Sequence, residues 1–141
     1  MANTINRGAL ALAFTLILTG PALAADDSES RTAAAGKQVF MDNCAVCHGA
    51  DGRGAGIVAG HLAEVPTNLT TLSANNGGNF PFPQIYETID GRRQIGAHGS
   101  REMPIWGAAF RQDTTSAGGM REAVVRGRIL ELIVYIQSIQ E

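Results

Sequence analysis

Cys44-Ala45-Val46-Cys47-His48 is the stretch on which the reading of this chain turns. The two thiols stand three positions apart, so on a helical turn they share one side. A histidine follows directly. Through this C-x-x-C-H pattern two thiols add across the two vinyl groups of one porphyrin, and the next residue offers its imidazole to the iron. The chain has only two cysteines, and both are here. Two other chemistries fit less well. A zinc site needs four ligands. Cys44, Cys47, His48 and one of His61 or His98 would have to supply them, without the usual second close-spaced pair. A redox dithiol sets its first cysteine at a helix N-terminus, where the dipole lowers the thiol pKa. Here the helical pattern precedes the cysteines and puts them near a C-terminal end.

The start of the chain reads as an export leader, residues 1–24. Arg7 is its charged head, Ala9 to Leu18 its apolar stretch, and Ala22-Leu23-Ala24 a small-x-small cleavage site. The stretch is short for a membrane span. Export to the periplasm agrees with haem attachment. Of the 141 residues, removal of 24 leaves 117, enough for one small domain. The leader takes one of the 11 basic residues and none of the 13 acidic ones, so the remainder carries 10 against 13, net −3. That balance argues against a nucleic-acid partner.

Residues 25–33 read as a flexible polar tail, with 34–141 as the domain. The pattern predicts a first helix starting near Ser30 or Thr32. On it Gly36, Phe40 and Cys44 form one row, and Val39, Asn43 and Cys47 the next. Gly49 is placed to stop it. Residues 49–80, rich in Gly, Asn and Thr, read as loops. Pro83 to Asp90 predicts a short helix ended by Gly91. Residues 92–119 read as irregular. A last helix runs from about Met120 or Gly127 to Gln140, with Val125, Ile129, Leu132, Ile136 and Ile139 as its apolar stripe. No strand is predicted, so the fold is all-α.

The second axial position on the iron has five candidates: Met41, His61, His98, Met103 and Met120. Met41 lies on the attachment helix and Met120 at the start of the last one. His61 is close in sequence to His48. His98 and Met103 share one irregular segment suited to the opposite wall.

Cys44-x-x-Cys47-His48, with Met103-Pro104-Ile105-Trp106-Gly107 and a C-terminal helix, resembles the class I c-type cytochromes of bacteria. The resemblance covers about Ala34 to Gln140. It implies N- and C-terminal helices that cross, with short helices and long loops wrapped round one covalent haem. It implies thioethers at Cys44 and Cys47, His48 as proximal iron ligand and Met103 as distal ligand. It also implies Gly36 and Phe40 packed against Leu132 and Tyr135. Many relatives have a proline after the haem motif, whose carbonyl accepts the proximal histidine's N–H. At what looks like that place this chain has Ile57, so the acceptor is not named by the resemblance. Trp106 is a candidate donor to a haem propionate, and Arg92, Arg93 and Arg101 are candidate propionate or partner contacts.

His/Met ligation fills both axial sites, and no further set of acid–base or nucleophilic groups is evident. The expected function is one-electron transfer, not enzyme catalysis, with transient donor and acceptor redox proteins as partners and a membrane reached only through a partner complex. The rivals are a haem enzyme or gas sensor whose sixth site opens, and a permanent cytochrome subunit of a larger complex.

Overall fold

A glycine and an aromatic residue one turn apart on the first helix decide how the chain folds up. The computed structural model of the protein describes residues 23–91 and 103–141. Helix α1 (Leu23–Asn43) crosses the last helix, α5 (Arg121–Ser138), at Gly36. A Cβ at Gly36 would fall on the Glu131 carbonyl group, with Leu132 N 3.0 Å away. Only glycine lets the two backbones approach this closely. One turn on, Phe40 is fully buried, and its ring centroid lies 5.2 Å from that of Tyr135 at 53°. Such tilted pairing adds to area burial. Val125, Ile129, Leu132 and Ile136 of the expected stripe are buried, joined by Ile133 and Tyr135, and Ile139 is half-buried. Gly36→Val is therefore expected to cost about 1–3 kcal/mol by overpacking. Gln38 is exposed and bonds only within its own helix, to Asp42 at 2.8 Å. Gln38→Ala should cost under about 0.5 kcal/mol. Equal denaturation midpoints for the two variants would contradict the crossing.

The helix starts earlier than expected. Residues 25–33, read as a flexible tail, are helical from Leu23 on. Ala24, Ala25 and Ala33 to Ala35 favour helix, and Asp27 and Glu29 lie in its first turns, near the positive end of its dipole. The leader residues 1–22 lie outside the described residues.

At Cys44 the helix breaks for one residue and resumes as α2 (Ala45–His48). The ladder is barely interrupted: Cys44 N donates to Phe40 O at 2.8 Å, and His48 N to Cys44 O at 2.9 Å. Three short 3₁₀ turns follow, at Ala59–His61, Leu69–Thr71 and Ala74–Asn76. The expected short helix is α3 (Phe82–Asp90), closed by Gly91 in the left-handed region at φ 86°.

Helix α4 (Trp106–Asp113) falls in a stretch expected to be irregular. Trp106-Gly107 is a poor helix opening by propensity. Burial overrides it. Phe110 is in the core, and its ring lies 5.9 Å from that of Trp106. The joint with α3 is reciprocal. Ile105 occupies the space beside Gly91, and Asp90 the space beside Gly107. Asp90 is buried and pairs with Arg111 at 3.5 Å, which pairs with Glu122 of α5 at 2.9 Å. No strand occurs among the described residues, and no helix there is long and apolar enough to cross a membrane.

Candidate functional site

Helical spacing carries the core row of α1 into the cysteines. Phe40 is followed one turn later by Cys44, which is 8% exposed and belongs to the same buried cluster. Cys47 and His48 are half-buried on α2. Both thiols are free. Burial, and second the neighbouring Cys47, pushes the Cys44 thiol up to about 12. That suppresses thiolate and opposes the redox-dithiol reading. No three His, Cys, Asp or Glu side chains among the described residues form a metal-holding group, so the zinc reading gains nothing.

His48 is held by its ring. Nδ1 lies 3.0 Å from the Thr67 carbonyl oxygen. A carbonyl only accepts, so the proton is on Nδ1 and the lone pair of Nε2 is left for a metal. Desolvation lowers the His48 pKa below the ordinary histidine value, against the opposing pull of the Thr67 bond. The neutral ring so favoured is the form that ligates iron.

Thr67 supplies the acceptor that the resemblance leaves unnamed. Ile57, at the place where relatives carry their proline, is 87% exposed. The acceptor lies ten residues further on, directly after Pro66. The chain reaches it by folding back across the attachment turn. Gly56 N donates to Cys47 O at 3.0 Å, Gly54 N to His48 O at 2.7 Å, and Leu69 N to Gly52 O at 2.7 Å. Pro66-Thr67 was the available signal, but only this fold-back brings it to the histidine.

The candidates for the second axial position separate by environment. Met41 and His61 are exposed, and Met120 is 70% exposed at the N-cap of α5. Met103 is half-buried and packs on the cluster that contains Cys44. Trp106 is half-buried beside Phe110. His98, Arg92, Arg93 and Arg101 lie outside the described residues. Leu69, Leu72, Phe80, Ile85, Met103 and Trp106 pack on the core while staying partly exposed. This is apolar surface of the kind a porphyrin face covers. Together with two free thiols on one turn and an imidazole oriented through Nδ1, it fits haem c.

The family model for Cytochrome c matches residues 33–123. The chain belongs to the cytochrome c family. No curated protein and no solved structure is similar enough to the chain to match. The cytochrome c match takes in the attachment motif, Thr67 and Met103, and ends just inside α5. The structure adds the rest of the fold, the crossing of α1 with α5. The cofactor of this cytochrome c domain is covalent haem, and its general role is haem-based electron transfer.

Proposed function

We propose that the protein is a periplasmic monohaem carrier, moving single electrons between a donor and an acceptor redox protein. In this reading Cys44 and Cys47 form the two thioethers, His48 is the proximal ligand and Met103 the distal one. Haem supplies the one-electron step, between ferrous and ferric iron. The residues do the remainder. The Thr67 carbonyl orients His48 and makes Nε2 a stronger donor. The Met103 thioether favours ferrous iron and raises the potential relative to bis-histidine ligation. The α3–α4 joint at Asp90, Gly91, Ile105 and Gly107 holds the chain next to Met103, so the ligand set is the same in both oxidation states.

The bond from His48 Nδ1 to Thr67 O is the observation that carries the proposal. It gives one imidazole the tautomer and fixed orientation of an axial ligand. Electrons would leave near the attachment turn, where Val46 and the Ile57 that follows the Gly56–Cys47 bond are exposed. A partner docking there would do so transiently, through a small interface. Arg53 is a poor probe of that docking, because it is paired with Glu141 and Asp51.

A spectroelectrochemical titration tests the proposal. One reversible one-electron wave is expected, with an iron–thioether charge-transfer band in the oxidised form. An oxidised spectrum of five-coordinate high-spin iron would contradict it.

A further inference from the structure

The end of the chain is bonded to the stretch that orients His48. Gln140 lies beyond the last residue of α5, and its side-chain amide makes three bonds. Nε2 donates to Ile136 O at 2.8 Å and to Leu69 O at 2.6 Å, while Oε1 accepts from Ser73 N at 2.9 Å. Helix capping explains only the first. The other two reach about seventy residues back, to 69–73. Glu141 extends the contact. Its N–H donates to Thr70 O at 2.9 Å, and its carboxylate pairs with Arg53. Between this seam and Thr67 the chain is closely hydrogen-bonded. Asn68 Oδ1 accepts from both Thr70 N and Thr70 Oγ1 at 2.9 Å, and Leu69 N is tied to Gly52. Thr70 is buried.

We propose that Gln140 is a positioning residue for His48: its amide fixes Leu69 and Ser73, and so keeps the Thr67 carbonyl on Nδ1. The inference rests on His48 being the proximal ligand. An amide is required because the seam presents one carbonyl and one N–H to the same side chain. Glutamate would keep the acceptor but turn an oxygen toward Leu69 O. The consequence for the iron has a definite sign. The bond from Nδ1 to a carbonyl raises the basicity of the ligating nitrogen, which favours ferric iron. Loosening Thr67 weakens that donation and raises the potential.

The test uses native holoprotein and its Gln140→Ala, Gln140→Glu and Gln137→Ala variants. Gln137 is exposed in the last turn of α5 and serves as control. Proton NMR of the haem protein reads the His48 ring and the solvent exchange of its Nδ1–H; voltammetry reads the potential. Both Gln140 variants are expected to exchange Nδ1–H about tenfold faster, the effect of losing roughly one net hydrogen bond, and to shift the potential upward. Gln137→Ala should match the native protein. Should Gln140→Ala fail to fold, Gln140→Glu alone decides. A Gln140 variant that lowers only the denaturation midpoint, with exchange and potential unmoved, makes Gln140 a plain structural cap and overturns the inference. If the native His48 ring lacks the paramagnetic shifts of an iron ligand, the ligation reading fails first and takes this inference with it.

Discussion

Replacing both Cys44 and Cys47 with Ala, in protein made without haem, is expected to leave a chain with little helix by circular dichroism. The core of the described residues is small. It centres on the α1–α5 crossing, with Ile89 and Phe110 added from α3 and α4. Around it, Leu69, Leu72, Phe80, Ile85, Met103 and Trp106 stay partly exposed. A domain of this size has a modest core to set against its conformational entropy. A cofactor bound only by the native state supplies the difference. The long stretch between α2 and α3 has only 3₁₀ turns of its own, so it should lose its order first. Native-like helix in the haem-free double variant would contradict this and mark a self-sufficient domain.

Met103→Ala is expected to abolish the iron–thioether band, lower the potential and admit exogenous ligands. Thioether favours the ferrous state, so its loss favours ferric iron. Met41→Ala and Met120→Ala provide the contrast. Both side chains are exposed, and both variants should keep the native spectrum and potential. An unaltered spectrum and potential in Met103→Ala would remove Met103 from the iron and return His98 to first place.

Short-range regularities made much of this structure legible in the sequence. The stripe Val125, Ile129, Leu132, Ile136 repeats at helical spacing, and those residues are buried. Gly36 and Phe40 are one turn apart, and both meet the last helix, at Glu131 and Tyr135. Pro83 and Gly91 bracketed α3 by local chemistry alone. What escaped depended on distant partners. Trp106-Gly107 opens a helix because Asp90 and the core receive it, not because its residues favour helix. The start of α1 is not legible in composition, because Asp27 and Glu29 read as a solvated tail, while acids near a helix start also stabilise it. At the site, the attachment motif was legible because its chemistry fixes its spacing. The acceptor for His48 was not, because Thr67 is nineteen positions away and reached only by fold-back. Gln140 gave no signal at all, since an amide at a helix end reads as solvated until Leu69 and Ser73 are seen beside it.

The most direct test of the carrier reading is the absorption spectrum of the native protein before and after adding small ligands, cyanide to the oxidised form and carbon monoxide to the reduced form. With His48 and Met103 both on the iron, neither addition should change the spectrum on mixing, and the iron–thioether band should persist. Ready binding of either ligand, with loss of that band, would show a sixth site that opens and would make the protein a haem enzyme or sensor rather than a carrier.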